Sequence, residues 1–231
     1  MTDDLELKPK NADTVSATQP RRRVKRAERE RQIIDEAIKF FAEVGFGGEV
    51  RELARRIGVN QSVLYRFFDN KDALIERVYQ EVFVTSWNPF WDETLENRSV
   101  PLLDRLVEYY VQYSHNVITY EWVRILLFAG LRGEDLNRRF VEFMRERVST
   151  RVVKEIRADL GLPTDENYQI SDLEFELVSG IHADIFYLGV RKWVYGMSFP
   201  DDLDQIVEAK VIAFFDGVPG AIQRYSAATI E

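Results

Sequence analysis

Two short apolar patterns with helical spacing are separated by a very tight turn. Val50, Leu53, Ala54 and Ile57 form the first, Leu64, Phe67 and Phe68 the second, and Gly58, Val59 and Asn60 lie between the two helices. A turn that short demands a residue able to take a positive φ without side-chain strain, and Gly58 supplies it. Ala54 is small where the second helix of the pair must cross close by. Leu53, Ile57, Val59, Leu64 and Phe67 are apolar at the positions where the two helices and a third share a core. These are the requirements of a helix-turn-helix, whose second helix lies in a DNA major groove.

The surrounding pattern is helical throughout. Ile34, Ala37, Ile38, Phe41 and Val44 recur at helical spacing from about residue 25, and Gly45 ends that run. Asn60 is placed to cap a third helix over about 61–68, and Asp69 or Asn70 to cap a fourth that reaches Phe83. Further helices are predicted over about 101–119, 121–131, 134–160, 170–195 and 202–217. No alternating strand pattern, internal repeat or low-complexity tract interrupts them. The fold class is therefore all-α, with about nine helices. Three of these form a helix-turn-helix unit that, with the fourth, occupies 21–83, and the other five form a larger helical domain over 84–231. Residues 1–20 are polar and aperiodic and read as a disordered tail.

With Leu64, Phe67 and Phe68 turned inward, Gln61, Ser62, Tyr65 and Arg66 point outward. Eight residues at ~1.5 Å rise make a rod of ~12 Å, matched to a major groove of about that width. Gln61 suits an adenine edge, Arg66 a guanine or a phosphate, and Tyr65 a phosphate. Charge agrees with this placement. The chain carries net charge −8, yet residues 21–83 hold 14 basic against 11 acidic side chains, while residues 84–231 hold 15 against 24. Five of the six residues from Arg21 to Arg26 are basic. Arg22, Arg23 and Lys25 are thus candidates for a flexible arm following the DNA backbone or a minor groove. Lys71, in the first turn of the fourth helix, sits beside backbone N–H groups that favour an anion.

Residues 31–83 resemble the N-terminal domain of the TetR family of bacterial transcriptional regulators. The resemblance runs through Ile34-Asp35-Glu36-Ala37, Phe41-Ala42-Glu43-Val44-Gly45-Phe46, Arg51-Glu52-Leu53-Ala54, Gly58-Val59, Leu64-Tyr65-Arg66-Phe67-Phe68 and Lys71-Asp72-Ala73-Leu74. It implies a three-helix DNA-binding domain, a larger ligand-binding domain, a homodimer made mainly by the last two long helices, and an operator released when an effector binds. By motif position, Tyr65 and Lys71 inherit phosphate contacts, while Gln61, Ser62 and Arg66 face the bases; Asn60 flanks them. Two positions depart from the family pattern. The loop Gly45-Phe46-Gly47-Gly48-Glu49 is one residue shorter and lacks a hydroxyl, and Val63 replaces a frequent threonine. Val63 is placed to meet a thymine methyl instead.

The larger domain is acidic and rich in aromatics. Tyr109, Tyr113, His115, Trp122, Phe128, His182, Asp184 and Phe186 combine rings with polar groups and are the candidates for lining a largely apolar small-molecule cavity. A hairpin of about 170–195 and 202–217, with Gly180, Ala183, Ala209 and Ala213 allowing close approach, is the candidate dimer surface. The expected partners are a palindromic operator in double-stranded DNA, an unknown small-molecule effector and a second copy of the chain.

Other chemistries find little support. Zero cysteines and two histidines exclude thiolate catalysis and cysteine-ligated zinc, and no phosphate-cradling glycine loop or metal-ligand spacing occurs. No cofactor is expected. The first thirty residues hold no apolar run and the longest apolar stretches, such as Ile125 to Ala129, are far too short for a bilayer. A soluble, cytoplasmic, non-enzymatic protein is the expectation. A helical enzyme with an incidental helix-turn-helix and a protein-interaction module are the competing readings.

Overall fold

The computed structural model describes residues 18–133, 135–164 and 168–227, with residues 18–22, 132 and 227 described by backbone alone. The expected disordered tail over residues 1–17 lies outside the described residues. Among the described residues the regular structure is helical, with no strand.

Helix α1 (Thr18–Val44) buries Ile33, Ile34, Ala37, Phe40 and Phe41 along one face. It begins upstream of Lys25, so residues 18–20 of the expected tail and the basic run from Arg21 to Arg26 have helical backbone rather than forming a flexible arm. After Gly45 come α2 (Val50–Ile57), α3 (Gln61–Leu64) and α4 (Lys71–Tyr79), the last running into a π-helical turn at Gln80–Val84. The larger region comprises α5 (Phe90–Glu96), α6 (Leu102–Asn116), α7 (Tyr120–Arg132), α8 (Leu136–Met144), α9 (Thr150–Asp159), α10 (Asp172–Trp193) and α11 (Leu203–Ala227). Helix α11 lies along α6 and α10, and α1 packs against α7. Buried side chains from Ile33 to Ile222 form one connected cluster.

Several boundaries differ from the sequence reading for local reasons. The single helix expected over 134–160 is two, α8 and α9, joined by a π-helical turn at Arg145–Ser149. There the Thr150 hydroxyl donates to the Arg145 carbonyl, five residues back, at 2.7 Å. Helix α5, absent from the sequence reading, is held by Trp91 and Leu95, one turn apart and both buried. Seven residues are too few to show a period. Helix α11 continues through Pro219 well past residue 217. Helix α10 starts at a capping box, Ser171 and Glu174 each bonding the other's backbone.

Candidate nucleic-acid interface

Helix α2 buries Val50, Leu53 and Ala54, and its last turn is closed by Gly58 at φ +75°. The Gly58 N–H bonds the Arg55 carbonyl at 3.1 Å and the Val59 N–H bonds Ala54 at 3.0 Å, satisfying carbonyls the helix leaves unpaired. A Cβ at Gly58 meets nothing within 4 Å, so backbone conformation alone selects glycine there. Asn60 takes the N-cap conformation, φ −77° and ψ 147°, but its side chain makes no capping bond. Glu49, before α2, likewise makes none, in keeping with a loop that lacks a hydroxyl.

Helix α3 is a single turn rather than the eight-residue rod of the sequence reading. Beyond Leu64 the chain tightens: Arg66 and Phe67 bond the carbonyls three residues back, at 3.2 and 2.9 Å. Leu64 and Phe68 are buried and Phe67 half-buried, which turns Ser62, Tyr65 and Arg66 to solvent and leaves Gln61 and Val63 half-buried at the edge. The Gln61 amide donates to the Tyr65 hydroxyl at 3.1 Å, so the two side chains present one polar surface. Asn70, not Asp69, caps α4, accepting from the Ala73 N–H at 2.8 Å. Lys71 is half-buried at the start of that helix.

Arg23, Lys25 and Arg26 are exposed along the N-terminal part of α1; the side chain of Arg22 lies outside the described residues. The Arg26 guanidinium sits 5.6 Å from the Phe67 ring centre. This contact joins the basic end of α1 to the turn after α3, and no pattern within either segment signals it. Two arginines of α2 are paired locally. Arg55 bonds Glu52 and Arg56 bonds Glu43, at 2.7 and 2.6 Å.

Behind this surface, three arginines fasten α1 and α4 to elements later in the chain. Arg124 of α7 donates to Ala42 at 2.6 Å and Glu43 at 3.2 Å in the last turn of α1, and to Trp193 at 3.4 Å at the end of α10. A cation at helix C-termini is favourably placed. Beside it, Gly45 has φ +74°, and a Cβ there would lie 2.9 Å from the Phe128 ring. Arg139 of α8 holds Glu76 of α4 through two bonds of 2.8 and 2.9 Å, which pulls the Glu76 carboxyl down to about 2. Arg31 of α1 pairs with Glu81 in the first π-helical turn.

The candidate ligand residues divide. Tyr109, Tyr113, Trp122, His182 and Phe186 converge in one aromatic cluster. Tyr113 lies 4.6 Å from His182 and 6.4 Å from Trp122, and Trp122 lies 5.8 Å from Phe186. His115 is exposed and paired with Asp204, Phe128 belongs to the α1–α7 contact, and Asp184 pairs with Lys210 at 2.7 Å across the surface of α10 and α11. Among the described residues no three His, Cys, Asp or Glu side chains could jointly hold a metal, and no helix is long and apolar enough to cross a membrane.

A three-helix unit with a glycine-hinged pair and an exposed polar turn defines a helix-turn-helix protein. Residues 33–78 match the profile of the bacterial regulatory proteins of the tetR family. The chain is 23% identical over 196 residues to the uncharacterized HTH-type transcriptional regulator YvaF of Bacillus subtilis (strain 168), a match spanning 82% of this chain and 95% of that one. Its fold is similar to that of a TetR-family transcriptional regulator from Pseudomonas syringae pv. tomato str. DC3000, with TM-score 0.57, 16% identity, and 82% and 96% of the two chains covered. It is similar also to a putative TetR-family regulator from Mesorhizobium loti MAFF303099, with TM-score 0.54, 16% identity and the same coverage. Residues 33–78 thus form a DNA-binding domain of the type found in the tetR family of bacterial regulatory proteins.

Proposed function

We propose that the protein is a dimeric repressor that binds a palindromic operator through residues 21–83 and leaves it when a small-molecule effector binds within residues 84–231. The observation that carries this reading is the joined surface of Gln61, Ser62, Tyr65 and Arg66 with Arg23, Lys25 and Arg26, linked through Arg26 over Phe67. Base-edge groups and backbone-facing cations lie on neighbouring elements, the division of labour that DNA recognition needs. Asn60 and Val63 flank that surface, and Lys71 together with the first turn of α4 suits a phosphate. The two-fold copy forms along α10 and α11. Gly180, Ala183, Ala209 and Ala213 are exposed there, and all but Ala183 line, with Leu177 and Ile206, a groove of about 590 Å³. A cytoplasmic location goes with this role.

The test is selection of bound fragments from random DNA by the purified chain, followed by titration of the recovered sequence. Inverted half-sites about 34 Å or a multiple apart are expected, with affinity falling steeply as salt rises. Tyr65→Ala or the double change Arg22/Arg23→Ala should weaken binding by at least tenfold, with helical circular dichroism unchanged. Gln61→Ala should alter sequence preference more than overall affinity. Recovery of no preferred sequence overturns the reading.

A further inference from the structure

The larger region holds polar atoms that its own packing leaves without partners. Trp87 lies between the first π-helical turn and α5, Tyr109 and Tyr113 are one turn apart on α6, and His182 is on α10. Their rings form one chain of contacts through Trp91. Trp87–Trp91 is 5.1 Å, Trp91–Tyr109 5.7 Å, Trp91–Tyr113 6.1 Å and Tyr113–His182 4.6 Å. Tyr109 and Tyr113 are buried with 0% and 1% of their surface exposed. Yet both hydroxyls, Trp87 Nε1 and His182 Nε2 are buried with no hydrogen-bond partner. Neighbours in the same cluster are satisfied: Trp91 Nε1 donates to Gln112 at 3.0 Å, and Tyr110 Oη lies 3.4 Å from His182 Nδ1. An unpaired buried polar atom costs stability, and replacement by Phe or Leu would remove that cost. Four in one cluster are what a site keeps for a ligand.

The chemistry of the four atoms narrows what they accept. Trp87 offers a donor, and each phenol a donor and an acceptor. His182 offers Nε2 as an acceptor when Nδ1 carries the proton toward Tyr110. Burial pushes both phenols up and the His182 imidazole down to about 4, so all are neutral near pH 7. The nearby ions are already matched. Asp92 is held by Arg147 and Arg151, at 2.7 and 2.8 Å, and the charge of Arg105 by Glu155 at 3.0 Å, although the Arg105 Nε is a further buried donor without a partner. A charged guest would therefore be desolvated without a counter-charge. A cleft of about 430 Å³ between α1 and the start of α7 is walled on one side by Trp122. That ring also lies 6.4 Å from Tyr113.

We infer that this cluster binds an uncharged, flat aromatic molecule bearing hydroxyl or carbonyl oxygens, admitted from the cleft against α1 past Trp122. Its role as effector rests on the regulator reading above. Asp35, Ile38 and Lys39 of α1 line the same cleft, so a guest there touches the helix that carries the basic run.

The experiment compares three probes of one shape on the full chain by calorimetry: 2-naphthol, the 2-naphthoate anion and the 2-naphthylmethylammonium cation. Naphthol should bind at least tenfold more tightly than either ion. Tyr109→Phe and Tyr113→Phe should each weaken it by about tenfold, the loss of one hydrogen bond, while thermal stability holds or rises because an unpaired hydroxyl is removed. Binding of an ion as tight as that of naphthol, or unchanged affinity in both phenylalanine variants, overturns the inference. Operator titration with and without naphthol separates the two claims. Tight naphthol binding that leaves the operator complex intact upholds the site and sinks the effector role. Operator release by another molecule indifferent to both variants, with no naphthol binding, upholds the regulator reading and sinks the site.

Discussion

The recognition turn and the aromatic interior of α6 and α10 both gather neutral polar side chains, under opposite conditions. Ser62 and Tyr65 face water, and the Gln61 amide closes on the Tyr65 hydroxyl. Tyr109, Tyr113 and His182 hold polar atoms away from water with nothing to bond. On the surface a polar group waits for a partner at almost no cost to the fold, whereas inside every such atom destabilises it. The same residue types should therefore answer to different measurements in the two places.

The largest effect belongs to the interior. Trp91 is 1% exposed and meets Trp87, Tyr109 and Tyr113. Trp91→Ala should lower the unfolding free energy by about 3–5 kcal/mol in urea titrations. A loss below about 1 kcal/mol would mean that the interior is not one packed unit. Next comes acid. The His182 imidazole is held near 4, below its ordinary 6.5, so the unfolded chain takes up its proton first as pH falls. Stability should decline between about pH 6.5 and 4, by on the order of 3 kcal/mol in full, and His182→Gln should flatten that slope. Glu76, held near 2 by Arg139, contributes above 4.5 and loses that contribution only below it, so urea series at pH 7 and pH 5 isolate the histidine.

The recognition turn should respond far less. Gly58→Ala places a side chain at φ +75° with nothing to strike, and should cost roughly 1 kcal/mol of backbone strain. A larger loss would reveal a packing role that the open space there denies. Smallest of all, Tyr65→Ala should shift stability by less than about 0.5 kcal/mol even as operator affinity falls. Equal sensitivity in the two regions would erase the distinction between them.

The two regions also differ in how far the sequence announces them. Gly58, Leu64 and the Leu-Tyr-x-x-Phe spacing are local signals, and they locate the turn and its outward residues because neighbours in sequence are neighbours in space. The length of α3 was not legible, since tight i, i+3 bonds continue the helical apolar pattern after the α-helix stops. In the larger region, helical spacing marked most of the helices but not which faces meet. Tyr113 and His182 are far apart in the chain and come together, while His115, Phe128 and Asp184 carry equally suitable chemistry and point elsewhere. The contacts of Arg26 with Phe67 and of Arg124 with three carbonyls are likewise long-range. Arg124 is one arginine among many until the fold supplies its partners.

Arg124 bears on how motion is shared. Its single planar head grips Ala42, Glu43 and Trp193, so the tail of the helix leading into the helix-turn-helix unit and the tail of α10 are pinned to one rivet. Neither can swivel about α7 alone without tearing a bond from the other. Moving either helix end relative to α7 therefore strains bonds made by the same side chain.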